Sequence, residues 1–205
     1  MKNLIIYLTL LSILSSCKTW NGAMITPKND PITPKLLTLE RRIEDVSLPN
    51  LTTPHGDNQF RLNDEILLFT KEVEENLMDP YGDKYGTIVL KRNVIDVRYG
   101  MGNFILSTFL FTIPNLFGMP FMNIRYKVST EIRVMDRNNK LIGNYNAIGE
   151  SQVKVAYYYG YSFRNAHADR KAYTDALNDA LNKIRPQIKL DASRINEKLH
   201  AAGRL

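Results

Sequence analysis

Within 205 residues the sequence holds one cysteine, one tryptophan and three histidines. A lone cysteine, Cys17, excludes an internal disulfide. His55, His167 and His200 lie far apart, with no second ligand at metal-binding spacing, so neither a metal nor a cofactor is expected. No Gly-x-Ser-x-Gly elbow and no phosphate loop occurs, and Gly100-Met101-Gly102 stops short of a dinucleotide fingerprint. Asp175 and Asp179 stand four apart with Lys171 and Lys183 nearby, the spacing of a solvated, ion-paired helix stripe. No enzyme is expected from this inventory. The charge balance, 27 basic against 21 acidic side chains, is modest and scattered. It contains no basic stripe with interleaved aromatics, so nucleic acid is not an expected partner.

The one long run free of charge near the start has a clear layout. Lys2 precedes the apolar stretch Leu4 to Leu14, which ends in Leu14-Ser15-Ser16-Cys17. The run is too short for a permanent bilayer span and has the form of a secretory leader. Leu14-Ser15-Ser16-Cys17 resembles the lipobox of bacterial lipoproteins: an aliphatic residue, two small residues and an obligatory cysteine. Small side chains before the cut let an extended backbone enter a narrow peptidase site. The resemblance covers 17 residues. It implies cleavage before Cys17, a diacylglycerol thioether on its thiol and a further acyl chain such as palmitate on the new amino terminus. Several chains anchor far more firmly than one. Lipidation would also leave no free thiol nucleophile. Lys18 stands where an inner-membrane-retained lipoprotein often has aspartate, which points to the outer membrane, facing the periplasm. Loss of Lys2 with the leader lowers the formal net charge from +6 to +5.

The expected organisation is a signal peptide over residues 1–16, a lipidated cysteine with an extended tether over 17–34, and one domain over 35–205. Pro27, Pro31 and Pro34 discourage helix in the tether, which fully extended spans roughly 55 Å. A strand is expected over 36–43 and a loop over 47–58. An amphipathic helix follows, capped by Asn63 and ended by Pro80, with Leu62, Ile66, Phe69, Val73 and Leu77 inward and its acidic residues mostly outward. Period-two patterning predicts strands over 87–99 and 123–135, a turn at 136–139, and one or two strands over 141–159. Helix returns from Asn165, is interrupted at Pro186, and resumes with Ile188, Ala192, Ile195 and Leu199. The fold class is α+β: a two-layer sandwich, mostly antiparallel sheet with helices packed on one face. This order resembles the small α+β domains of envelope lipoproteins such as the TolB amino-terminal domain and the curli-secretion lipoprotein.

Between Arg98 and Arg125 there is no charged residue, and the insertion 99–124 falls where strand connections are normally short and polar. Its Phe104, Phe109, Leu110, Phe111, Leu116, Phe117 and Phe121 must touch something, since each is worth about 1.5–3 kcal/mol when buried. Three arrangements are open: a transmembrane helix, against which Pro114, Asn115, Gly118 and Pro120 argue; a crossover buried on the sheet; or an exposed hairpin that enters a lipid interface or a partner's groove. Met101, Met119 and Met122 suit an adaptable contact. Tyr157, Tyr158, Tyr159 and Tyr161 form a second aromatic cluster, either a strand end or a platform for a glycan or partner. The sequence therefore predicts a membrane-anchored periplasmic lipoprotein, a non-enzymatic accessory or scaffold that meets an envelope protein. A lipid- or glycan-binding module is the alternative.

Overall fold

A computed structural model describes residues 25–44, 58–156 and 167–205. Four strands form one sheet in chain order. β1 (Glu40–Glu44) runs parallel to β2 (Gly86–Gly100), and helix α1 (Asn58–Lys71) falls between them in sequence. β2, β3 (Met122–Asp136) and β4 (Leu141–Val155) pair antiparallel as a meander. The last element, α4 (His167–Ala202), packs across β3 and β4 and touches α1. The expected α+β architecture is present: a mostly antiparallel four-strand sheet with a long carboxy-terminal helix against it.

The alternation in β3 decides which face is covered. Ile124, Tyr126, Val128, Thr130, Ile132 and Val134 are buried beneath the helices, whereas Arg125, Lys127, Ser129, Glu131 and Arg133 line the open face. From α4 come Tyr173, Ala176, Leu177, Ala180, Leu181 and Ile184, all buried. The small residues let backbone approach backbone. A Cβ built on Gly149 of β4 would lie 1.8 Å from the Ala176 carbonyl oxygen, so only glycine fits where the helix crosses that strand.

Pro186 does not interrupt the helix: α4 runs unbroken through it for 36 residues. Proline removes one backbone donor and crowds the preceding turn, at a cost of about 3 kcal/mol. Ile184 and Arg185 before it and Ile188, Ala192, Ile195 and Leu199 after it are all buried on one continuous stripe, and that shared burial holds both halves in line.

α1 also departs from its expected form. It starts at Asn58 and not at Asn63, which sits exposed inside the helix; no glycine or proline separates them. Past Lys71 it widens into a π-helical turn, Glu72–Leu77, closed by Met78 N–H donating to the Val73 carbonyl at 2.9 Å. The inward face contains Asp64, Glu65, Glu72 and Asn76 beside Leu68, Phe69, Val73 and Leu77, while Ile66 is exposed. The expectation that the acids point outward fails because arginines wait inside. Arg170 grips Asp64 with two 2.8 Å hydrogen bonds, Arg185 grips Glu72 with two of 2.7 Å, and Arg92 pairs with Glu65, which also accepts from the Tyr173 hydroxyl at 3.2 Å.

The expected first strand, 36–43, is shorter and later. Leu36 makes only an isolated parallel bridge to Met78, and ladder pairing begins at Glu40. The preceding stretch packs on the body: Ile25 and Ile32 are buried, Lys71 Nζ donates to the Ile25 carbonyl at 2.9 Å, and Asn76 holds the Lys28 carbonyl and the Asp30 and Ile32 amides. Residues 25–34 are therefore docked, running from Leu36 beside Leu77 back to Ile25 beside Lys71.

Candidate functional site

At the end of the sheet where β2 stops and β3 begins, the uncharged insertion folds as a helical hairpin. It consists of α2 (Gly102–Phe109), a tight turn, and α3 (Ile113–Leu116). Phe111 and Thr112 take positive φ, 49° and 61°, in the turn, and Gly118 takes 93° on the way out. Left-handed backbone costs a bulky residue such as phenylalanine conformational energy, and here it turns the chain within three residues. The return to the sheet is fixed by Phe121 N–H donating to the Val155 carbonyl at 2.8 Å.

The hairpin is polar inside and apolar outside. Ser107 and Asn115 are its buried residues. Ser107 Oγ donates to the Asn103 carbonyl at 2.6 Å, Thr112 N–H to the Ser107 carbonyl at 2.7 Å, and Asn115 Nδ2 to the Met119 carbonyl at 2.8 Å. Asn115 Oδ1, also buried, has no partner among the described residues. Around this small polar centre stand Met101, Phe104, Ile105, Leu106, Phe109, Leu110, Phe111, Ile113, Leu116 and Phe117, all exposed; Phe109, Phe111 and Phe117 reach 78%, 86% and 87%. Phe121, at the base, is half-buried.

Two of the three expected arrangements are thereby excluded. No described helix is long and apolar enough to cross a membrane, and β2 and β3 pair antiparallel in one sheet, so the segment is not the expected membrane-spanning helix. Nor does the segment lie buried against the sheet, because its large apolar side chains are exposed. The exposed hairpin remains. Six of the seven residues singled out from the sequence, Phe104 to Phe117, sit on its outer surface.

Just below the hairpin lies a set of cations that the sequence reading did not single out. Counted from the hairpin inward, the first charged residue on each strand is basic: Arg98 on β2, Arg125 on β3 and Lys154 on β4, all exposed. Arg98 and Arg125 are direct cross-strand partners. With Asp96, Lys127, Glu150 and Gln152 they line an open cleft of about 580 Å³ on the uncovered face. Asp96 pairs with Arg98 at 2.6 Å and Glu150 with Lys127 at 2.7 Å; the Lys127 ammonium holds the Glu150 carboxyl below its ordinary value. The signal was present in the sequence as three basic residues, each within three positions of a strand end.

Other singled-out residues do not converge. His167 and His200 stand at opposite ends of α4, about 50 Å apart at 1.5 Å per residue, and His200 packs edge-on against Tyr85. Among the described residues no group of His, Cys, Asp and Glu is disposed to hold a metal. Lys171 pairs with Asp175, and Lys183 pairs with Asp179 at 2.6 Å. Cys17, His55 and the tyrosines Tyr157, Tyr158, Tyr159 and Tyr161 lie outside the described residues.

No protein-family model matches the chain, and no well-characterised protein matches it in sequence. Among solved structures it is distantly similar to a protein of Helicobacter pylori described as a neuraminyllactose-binding hemagglutinin homolog. The two share 11% identity over 91% of this chain and 98% of that one, with a TM-score of 0.36. A minor lipoprotein of Acinetobacter baumannii is also similar, at 14% identity over 78% of this chain and 93% of the other, with a TM-score of 0.26. Scores this low leave the reading of the site to its own geometry.

Proposed function

We propose that this chain is a non-enzymatic lipoprotein of the cell envelope, an accessory or scaffold attached at two points: by lipid on Cys17 and through the hairpin 101–121. The carrying observation is the inverted hairpin, with ten large apolar side chains exposed around a polar centre. Water is a poor environment for such a surface, and a contiguous apolar patch of this kind marks a docking surface. The lipobox supports the first attachment. The seven residues 18–24 separate Cys17 from the docked Ile25, so the anchor lies within about 30 Å of the body. The docked stretch also runs from Leu36 toward Ile25 along α1, toward the end of the sheet that bears the hairpin.

An outer-membrane, periplasm-facing location follows from Lys18 in this reading. The body beneath the hairpin, with its acidic seam sealed by arginines, serves as a rigid mount. The test is crosslinking in cells followed by mass spectrometry, comparing the natural chain with one in which Phe109, Phe111 and Phe117 are serine. The natural chain should carry lipid on Cys17 and give envelope adducts at the hairpin, and the triple variant should keep the lipid and lose those adducts. A Cys17 that is free in the native protein, or adducts unchanged in the variant, contradicts the proposal.

A further inference from the structure

We infer that the hairpin's partner is the interfacial zone of an anionic bilayer leaflet, with Arg98, Arg125 and Lys154 meeting the lipid phosphates. The inference deepens the two-point attachment proposed above and rests on it. Three observations favour lipid over a protein groove.

The first is the angular spread of the exposed residues. Phe104, Ile105 and Leu106 are consecutive and all exposed, as are Phe109, Leu110 and Phe111. Phe104, Ile105 and Leu106 lie within α2, where at 3.6 residues per turn three successive positions sweep an arc of about 200°, and Leu110 and Phe111 add exposed apolar groups on the turn beyond it. A protein groove receives one face of a helix, read as anchors three and four residues apart. A fluid apolar phase wets every side at once.

The second is the polar interior. In hydrocarbon every backbone group must be satisfied from within, and polar side chains turn inward to do it. Ser107 and Asn115 turn inward at the hairpin's centre and hydrogen-bond the Asn103 and Met119 carbonyls, with one acceptor, Asn115 Oδ1, left over among the described residues.

The third is the charge at the base. Arg98, Arg125 and Lys154 lie one to three residues from the strand ends, within about 10 Å of the hairpin at strand rise. Apolar faces of interfacial elements bury about 5–10 Å into the boundary between headgroups and acyl chains, a depth that would bring these cations near the phosphates. Arg98 stands directly opposite Arg125 with Asp96 paired to Arg98, so these three cations and one carboxylate leave a net positive rim that suits an anionic surface. The hairpin itself carries no acidic group to repel such a surface.

The test uses the processed, full-length protein extracted with its anchor and placed in vesicles of phosphatidylcholine, with or without roughly one third phosphatidylglycerol. Trp20 is the sole tryptophan. Trp20→Phe with Phe117→Trp therefore leaves one reporter, at a position exposed enough to tolerate the change. In anionic vesicles its emission should shift to the blue and be quenched by lipids brominated on their acyl chains. Arg98→Gln, Arg125→Gln and Lys154→Gln together should lower the inserted-to-free ratio by about 100-fold, at roughly 5-fold per cation. Protein that floats with the vesicles while its reporter stays water-exposed and unquenched overturns the inference and leaves the anchor standing. A blue-shifted reporter that brominated lipid does not quench indicates a protein contact and also overturns it. Protein that does not float at all refutes the anchor and, with it, this inference.

Discussion

Two regions of the molecule reverse the usual placement of side chains, in opposite senses. The seam between α1, α4 and β2 hides carboxylates: Asp64, Glu65 and Glu72 are buried. The hairpin displays phenylalanines: Phe109, Phe111 and Phe117 stand in the open. In the seam each carboxylate has an arginine inside the same body, so the charges need no water. In the hairpin the backbone is tied to Ser107 and Asn115, so no apolar side chain is needed within. The pair teaches that placement follows where a group's partners are. The seam's partners are internal; those of the hairpin, on the proposal above, lie outside the chain.

That contrast can be tested from its strongest arm downward. Arg185→Ala strands the Glu72 carboxylate, which is 1% exposed, and should cost about 3–5 kcal/mol in urea unfolding. Replacing Glu72 and Arg185 together by leucine and methionine should recover most of that loss, because the desolvation penalty goes with the pair. Phe69→Ala in the core should also cost about 3–5 kcal/mol, whereas Phe117→Ala should fall within about 0.5 kcal/mol of the natural protein. If the two phenylalanines cost the same, the hairpin is packed and the contrast fails. Gly149→Ala brings a Cβ onto the Ala176 carbonyl and should cost about 1–3 kcal/mol, read as a lower melting temperature.

The smallest effect is a pH dependence away from both regions. Burial, and then its hydrogen bond to Asp191, push the Tyr145 hydroxyl up to about 12. A raised value means that the folded state keeps the proton while the unfolded chain, near 10, gives it up. The resulting stability is complete below pH 10 and is lost as the pH climbs through 12. Tyr145→Phe should flatten that alkaline decline in a denaturation series. Asp191 behaves in the opposite sense: the hydrogen bonds from Tyr145 and Arg194 lower its value, so its contribution fades as the pH falls.

Much of the fold was legible because period-two alternation reports a sheet with one covered face. β3 was placed within one residue at each end, and so was β2. What misled were residues whose partners are distant in sequence. Pro186 reads as a break until the buried stripe on both sides of it is seen against one sheet. Glu72 reads as a surface acid until Arg185, 113 residues away, is found beside it. Asn63 reads as a cap because nothing local reveals the helix continuing back to Asn58.

The candidate site was legible in composition, as a charge-free run between two strands, but not in direction. Burial against the sheet and exposure beyond it leave the same sequence trace. What separates them is the inward turn of Ser107 and Asn115, a matter of helix phase across a tight turn at Phe111 and Thr112. The basic residues Arg98, Arg125 and Lys154 were equally visible one strand at a time. They become a group only once the strand register sets them side by side.

The central claim, that the hairpin is covered by something outside the chain when the protein is in its envelope, is tested most directly by cysteine accessibility in intact membranes. With Cys17 lipidated, as proposed, a single introduced thiol is the only reactive one, since the sequence has no other cysteine. Phe111→Cys and Leu190→Cys place that thiol at two sites of nearly equal exposure in the isolated chain. A water-soluble maleimide should label position 190 readily and position 111 at least about ten times more slowly, the protection expected where water is excluded. Equal labelling of the two positions would contradict the account.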